Sequence, residues 1–246
     1  MKELKRIILV AIVTFVILLP SVFPVPSSGH DQGKALILSS IQSSSPMGYA
    51  NVITDYLANA GYEVTFLNDT AVTINLLTTQ LNNYDVVIWR TDNYQRAHTV
   101  YWYVGEMSNQ TTLQNYQSDF RAGWIDDTYG ILGVSLDFLR THFTAGSLAN
   151  VKLAILVSSI SSGIAEVFVR AGVKSAVDYF GSFSHSFSMT DYVTRLVVEY
   201  LAKGYTVNDA IVYTVTRFLT IRHDSPLDAG YVPPVWYLGD GTVTIA

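Results

Sequence analysis

The stretch that decides the fold is Val151–Thr216, VKLAILVSSISSGIAEVFVRAGVKSAVDYFGSFSHSFSMTDYVTRLVVEYLAKGYTVNDAIVYTVT. Its first seven residues, Val151–Val157, form an apolar run that is too short to span a membrane and is typical of a strand buried on both faces. The remainder predicts a helix, a strand and two further helices: Ile164–Arg170, Lys174–Phe180, Met189–Lys203 and Val207–Leu219. Strands that alternate with helices indicate parallel pairing through right-handed crossovers.

The residues before this stretch continue the alternation. Strands are predicted at Lys34–Ser40, Tyr62–Leu67 and Asp85–Arg90, and helices at Pro46–Ala60 and Val72–Leu81. Weaker patterns predict strands at Thr99–Glu106 and Ile131–Ser135, a helix at Leu136–Phe143, and a loop at Met107–Gly130 with one short helix near Leu113–Phe120. The sequence therefore predicts a single α/β domain with a mostly parallel central sheet flanked by helices.

The N-terminal segment has the pattern of an export signal. A basic start, Met1–Arg6, precedes the apolar run Ile7–Leu19, whose length fits a signal peptide better than a membrane span of about 20 residues. No Ala-x-Ala cleavage site follows, so an uncleaved anchor is the alternative. We expect residues 1–29 to be the signal peptide or anchor and residues 30–246 to be the extracytoplasmic domain, secreted or tethered, with membrane contact only through the N-terminal segment.

Composition excludes several classes of function. The 246 residues carry a formal net charge of −5 with scattered acidic residues, which argues against a nucleic-acid partner. The chain contains no Cys, so neither a disulfide nor thiolate chemistry is available. His185 and Asp191 lack the spacing of a metal site, and the sequence predicts no metal and no cofactor.

Five short pieces, in order, resemble the caspase-like cysteine peptidases, the group that includes clostripain, gingipains and CHAT domains. They are Leu156–Gly163, Arg170–Val173, Tyr179–Gly181, Leu201–Ala210, and Gly239-Asp240 followed by an apolar segment expected to be a strand. In that family a buried strand leads to the nucleophilic Cys, and a catalytic His follows the third strand of the domain. The resemblance implies a caspase-like fold with its cleft where the parallel strands end.

Both catalytic positions of the family are substituted in this chain. In Tyr84–Asn93 the family's Arg is matched by Arg90, but the His position holds Asp92. The Cys position falls on Ile160, or on Ser159 if the register slips by one. A carboxylate with a pKa near 4 is a weak base at neutral pH, and Ile has no nucleophilic atom. The resemblance therefore implies a catalytically silent pseudo-peptidase that binds a peptide or protein ligand.

The resemblance also implies which residues line the cleft: Arg90, Asn93, Asp178, Phe180, Gly181, Ser182 and Ser184. In related peptidases an acid in the primary pocket selects Arg or Lys, and Asp178 is the candidate here. The alternative for Asp178 is a turn-forming residue at a strand end.

An active hydrolase with a serine nucleophile is the alternative function. Ser158, Ser159, Ser161 or Ser162 would attack with Asp92, His98 or His185 as the base, although no Gly-x-Ser-x-Gly elbow is present. The competing interpretation is that these serines cap the helix that begins near Gly163. His98 is otherwise expected to be a solvated loop residue.

Overall fold

A six-stranded sheet forms the centre of the protein in the computed structural model, which describes residues 33–40, 46–158, 163–179, 187–222 and 235–246. The strands are β1 (Gly33–Ser39), β2 (Tyr62–Asn68), β3 (Val86–Arg90), β4 (Asn93–Arg96), β5 (Thr99–Met107), β6 (Ile125–Thr128), β7 (Ile131–Ser135), β8 (Leu153–Val157), β9 (Ser175–Tyr179) and β10 (Val235–Gly239). The helices are α1 (Pro46–Asn59), α2 (Ile74–Thr79), α3 (Gln110–Asn115), α4 (Gln117–Ala122), α5 (Leu136–His142), α6 (Ile164–Arg170), α7 (Phe187–Ala202) and α8 (Val207–Arg222).

The strand order of the central sheet is β10-β9-β8-β3-β1-β2. All neighbours pair in parallel except β10, which runs antiparallel to β9. Every residue of β3, β8 and β9 is buried, as expected for inner strands covered by helices on both faces. The predicted α/β class with a mostly parallel central sheet is confirmed.

Two hydrophobic clusters cover the two faces of this sheet. On one face, α1, α7 and α8 pack on residues such as Ile37 and Ile155. On the other face, α2, α5 and α6 pack on residues such as Leu38 and Trp89. Trp102 of β5 belongs to the second cluster, so the strands outside the central sheet share its core.

A second sheet, with order β4-β5-β7-β6, is antiparallel throughout, and the sequence patterns did not predict it. β5 and β7 were expected as strands, but β4 and β6 were not. The expected loop Met107–Gly130 holds α3, α4 and β6, so its description as a loop with one helix was wrong. Two-residue turns at Ala97-His98 and Tyr129-Gly130 close the hairpins, and all four residues have positive φ.

Other boundaries also differ from the expectations. The helix predicted at Val72–Leu81 is only Ile74–Thr79, between 3₁₀ turns at Asp69–Ala71 and Leu81–Asn83. The strand expected after Gly239-Asp240 precedes it instead, as β10, because antiparallel pairing with β9 ends at Gly239 opposite Ser175. Within the described residues no helix has the length and apolar character needed to cross a membrane, and the predicted leader lies outside them.

Tyr62 at the start of β2 gives the fold a predicted alkaline sensitivity. Burial, with a smaller contribution from the Asp85 carboxylate, raises the pKa of Tyr62 to about 12. Because the folded state favours the neutral phenol, this contribution to stability is present below the unfolded pKa of about 10 and is lost as the pH rises through 12. Between pH 10 and pH 12 we expect the free energy of unfolding to fall less in Tyr62→Phe than in the wild type. Urea titration at each pH measures this free energy. Equal losses in the two proteins would contradict this assignment.

Candidate binding site at the carboxyl ends of the strands

The candidate site lies where the chain order of the central sheet reverses. From β1 the chain passes to β2 on one side, and then to β3, β8 and β9 on the other. In open α/β sheets the carboxyl ends of the strands at such a switch point form a natural ligand crevice. The register brings Ser39, Arg90 and Val157 into one row at this edge.

Arg90 ends β3 with a completely buried guanidinium that holds two helices against the sheet. Its Nε and Nη2 donate to the two carboxylate oxygens of Asp191 on α7, at 2.7 and 2.9 Å. The guanidinium also lies 5.4 Å from the ring of Tyr49 on α1 and donates to Ser39 Oγ at 3.4 Å. Burial, followed by the Asp191 carboxylate, raises the pKa of Tyr49 well above its ordinary value. The Arg90 side chain therefore links α1 and α7 to the end of β3 beneath the crevice, and Asp191 neutralises its charge.

Thr91 joins the central sheet to the second sheet. Its N–H donates to the carbonyl of Val157 at 2.8 Å, which extends the β3–β8 pairing by one residue. Its hydroxyl lies 2.7 Å from the carbonyl of Tyr103 on β5, and the Tyr103 N–H donates to the Asp92 carbonyl at 3.0 Å. These bonds fix the direction in which the chain leaves β3.

Asp92, Asn93 and Ser158 meet at this junction. The Asp92 carboxylate accepts from the N–H of Asn93 at 2.8 Å, and the Asn93 amide donates to Ser158 Oγ at 2.8 Å. Burial, followed by the Asp92 carboxylate, raises the pKa of Tyr103. Asp92 and Asn93 thus lie beside Ser158, the residue that follows β8.

Ser158 is 1% exposed, and a serine acts as a nucleophile only beside a base that takes its proton. His98 lies in the exposed turn at the far end of the β4–β5 hairpin, about 13 Å or more from Asn93 along the strand. It is the solvated residue that the sequence led us to expect, and it is too remote to serve Ser158 as a base.

The helix-capping interpretation is wrong for Ser158. The N-cap of α6 is Gly163, with a φ of 96°, while Ser158 is bonded to Asn93. A glycine takes this position because left-handed backbone carries a steric cost for residues with a Cβ. The other predicted residues of this region lie outside the described residues: Ser159, Ile160, Ser161, Ser162, Phe180, Gly181, Ser182, Ser184 and His185.

Asp178 lies within β9 and is completely buried. Its Oδ1 accepts from the N–H of the next residue, Tyr179, at 2.7 Å. Strand alternation places it on the same face as Ala176, towards α6. A role for Asp178 in selecting a basic residue stays a prediction.

The second sheet adds a face of tyrosines next to Asp92 that the sequence analysis missed. The ring of Tyr94 lies 5.4 Å from that of Tyr101 and 4.9 Å from that of Tyr103. Its hydroxyl donates to Asp126 at 3.2 Å, and Arg96 donates to the same carboxylate at 2.7 Å. Burial, together with Asp126, raises the pKa of Tyr94.

The signal for this face was weak in the sequence. Tyr101 and Tyr103 alternate along β5, which indicates that they share one side of a strand. No pattern in the neighbouring sequence indicates that Tyr94, on a separate strand, packs against these two tyrosines. The pairing of Asp191 with Arg90 was missed for the same reason, since the two residues lie 101 positions apart. Among the described residues no cluster of three or more His, Asp or Glu could hold a metal ion.

Comparisons with known proteins give no family assignment. No family model and no curated protein sequence matches the chain. Among solved structures, the chain is similar to the Drosophila initiator caspase Dronc, at 8% identity over 92% of this chain and 87% of that one, with a TM-score of 0.49. It is also similar to a Streptococcus pneumoniae TIGR4 flavodoxin, at 15% identity over 74% and 99% of the two chains, with a TM-score of 0.34. These similarities concern the fold alone, and the fold class rests on the strand order and helices described above.

Proposed function

We propose that this chain is an exported, catalytically silent caspase-like domain that binds an extended peptide or a protein segment at the carboxyl ends of its strands. The basic start Met1–Arg6 followed by the apolar run Ile7–Leu19, the pattern of an export signal, supports its placement outside the cytoplasm. The absence of Cys, with Asp92 at the family's His position, supports the loss of peptidase chemistry.

The observation that carries the binding proposal is the position of β4. Within the described residues this strand has a pairing partner on one side only, β5, and it begins at Asn93, beside Asp92 and Ser158. Arg96 and Thr99 flank the two-residue turn and form a hydrogen-bonded pair, so Gln95 and Val100 form the next, non-hydrogen-bonded pair. The N–H and C=O of Gln95 therefore face away from β5, where an added strand would pair with them.

The tyrosine face provides the side-chain contacts for such a strand. Side chains of an added strand alternate between the two faces of the sheet, so every second one would lie on the side of Tyr94, Tyr101 and Tyr103. Tyr94 is held in place by Asp126 and by its close approach to Gly133, where an added Cβ would lie 2.8 Å from the Tyr94 hydroxyl. Rigid aromatic side chains favour binding because little conformational entropy is lost.

The variant Gln95→Pro tests strand addition at β4. Proline removes the outward N–H and places its ring where the added strand would lie, so we expect peptide affinity to fall about tenfold or more, given about 1 kcal/mol for one backbone bond plus the steric clash. A fluorescent peptide library screened on the wild-type protein supplies the ligand, and anisotropy titration measures the change.

The matched control is Asp127→Pro on the edge strand β6, whose pairing places its N–H on the side away from β7. Because this variant also loses the bond from the Gly130 N–H to Asp127 Oδ1 at 3.0 Å, its fold is checked by circular dichroism. We expect this variant to bind the selected peptide as the wild type does. Unchanged binding by Gln95→Pro, or an equal loss in Asp127→Pro, would mean that no strand is added at β4. Labelling of the folded wild-type protein by a serine-reactive phosphonate would refute the silent-domain proposal.

A further inference from the structure

A row of charged residues begins four adjacent strands at the opposite, amino-terminal edge of the central sheet. The pairing registers place Lys34, Asp85, Lys152 and Lys174 side by side, each immediately before or at the start of β1, β3, β8 and β9. Neighbouring strands lie about 4.8 Å apart, so the row spans roughly 14 Å. Three of these four residues are cationic, in a chain whose formal net charge is −5.

The carboxylate in this row is already neutralised by bonds within the protein. Asp85 Oδ2 accepts from the N–H of Lys34 at 3.0 Å, and Oδ1 pairs with the ammonium of Lys152 at 3.0 Å. These two contacts outweigh the effect of burial and hold the pKa of Asp85 below its usual range. The acid therefore adds little repulsion towards an incoming anion.

The ammonium groups of Lys34 and Lys174, at the two ends of the row, are only weakly compensated by carboxylates. Lys34 lies 3.9 Å from Glu63, and both side chains are more than half exposed, so solvent weakens the pair. Lys174 is exposed and forms no ion pair with any carboxylate among the described residues. Lys174 is a minor contributor to the lowered pKa of Asp240, whose carboxylate is bonded to Thr242.

These charged residues line one cavity of about 820 Å³, together with asparagine side chains from two loops. The loops are joined by reciprocal bonds, because the Asn150 N–H donates to Asn82 Oδ1 at 2.9 Å and the Asn150 amide donates to the Asn82 carbonyl at 3.1 Å. The volume falls within the range of small-molecule sites, and the bonded loops give it a fixed wall.

We propose that this cavity binds a phosphate-bearing anion. Lys152 and Lys174 start neighbouring strands, so an oxyanion bound by the Lys174 ammonium lies about one strand spacing from the Lys152–Asp85 pair. Lysine binds phosphate as a point charge, whereas the fork of arginine matches planar carboxylates, and the described residues that line the cavity include no arginine. The site lies at the opposite edge of the sheet from the β4 strand end and does not depend on the proposed peptide binding.

Isothermal titration of the purified full-length chain with inorganic tripolyphosphate tests the proposal. We expect binding that weakens as salt is added, and a loss of about tenfold or more in Lys174→Gln, as for a hydrogen bond to a charged group. Lys34→Gln should also weaken binding. The control Lys203→Gln removes an exposed ammonium immediately after α7 that pairs with Glu199, and it should bind as the wild type does.

Two further probes define the ligand. Citrate carries a charge close to that of inorganic pyrophosphate, but on carboxylates, and should bind more weakly than pyrophosphate. Glycerol 3-phosphate represents a lipid headgroup and carries a charge close to that of inorganic phosphate, so binding tighter than that of inorganic phosphate would indicate a membrane source, and binding no tighter a free phosphate. The proposal is overturned if the wild type does not bind tripolyphosphate, if Lys174→Gln and Lys34→Gln bind unchanged while folded by circular dichroism, or if citrate binds as tightly as pyrophosphate.

Discussion

Replacing Asp191 with alanine should lower the free energy of unfolding by about 3–5 kcal/mol, because it leaves the guanidinium of Arg90 buried without its anionic partner. The arginine side chain is 1% exposed and that of Asp191 is 17% exposed, so solvent would reach the guanidinium only through the narrow opening at Asp191. Chemical denaturation followed by circular dichroism measures the change. The loss should appear in the transition midpoint, with little change in the dependence on denaturant.

The matched control is Asp137→Ala, which breaks the pair between Asp137 and Arg140 at 3.3 Å on the exposed surface of α5. That pair is solvated, and its removal should cost about 0.5 kcal/mol or less. A double variant, Arg90→Met with Asp191→Leu, should recover much of the stability, because an apolar pair of similar volume avoids the cost of burying two charges. A loss in Asp191→Ala no larger than in Asp137→Ala would show that Asp191 is not the partner that stabilises Arg90.

The central sheet could be predicted because its strands carry their own signal. Val86–Ile88 and Leu153–Val157 are apolar on both faces, which only strands covered on both sides require. Their alternation with helices then restricts the pairing to a few parallel arrangements. The antiparallel β10 could not be inferred in this way, since its direction depends on tertiary pairing with β9.

The second sheet escaped prediction because its edge strands are polar and short. β4 reads NYQR and β6 reads IDDT, and neither alternates apolar with polar residues over a useful length. The turn between β4 and β5 is Ala97-His98, with positive φ at both residues, where Asn-Gly is the usual signal. The hairpin is therefore specified by the packing of Trp102 and by the tyrosine stack rather than by its turn sequence.

The candidate site was only partly predictable for a related reason. Apolar strands end at or shortly before four residues of the site: Arg90, Asp92, Asn93 and Ser158. Because the carboxyl ends of parallel strands meet at one edge of the sheet, the proximity of these residues could be expected. The partners that define the chemistry of these residues come from distant parts of the chain. Asp191 on α7 pairs with Arg90, and the Asn93 amide donates to the hydroxyl of Ser158, which lies 65 residues further along the chain.

Under the proposed function, a His at position 92 together with a Cys at position 159 or 160 should create peptidase activity. The Thr91 N–H is bonded to Val157, and the Asn93 amide reaches Ser158, so residue 92 lies beside the segment that leads to positions 159 and 160. An imidazole at position 92 could then deprotonate a thiol on that segment. The Cys position of the family aligns with either Ile160 or Ser159. Asp92→His is therefore combined with Ile160→Cys in one protein and with Ser159→Cys in another.

We expect one of the two double variants to cleave members of a fluorogenic peptide library, and the matching Cys variant that retains Asp92 to be slower by about 10²–10⁴-fold, the usual contribution of a positioned base. Asp92→His alone should stay inactive, since it supplies a base without a nucleophile. Alkylation with iodoacetamide should abolish the gained activity, which ties the activity to the new thiol. Turnover by the purified parent protein would contradict the proposal of a degenerate peptidase site, because it requires an existing nucleophile. Inactivity of both folded double variants would also contradict it, because positions 92 and 159–160 would then not form a catalytic pair.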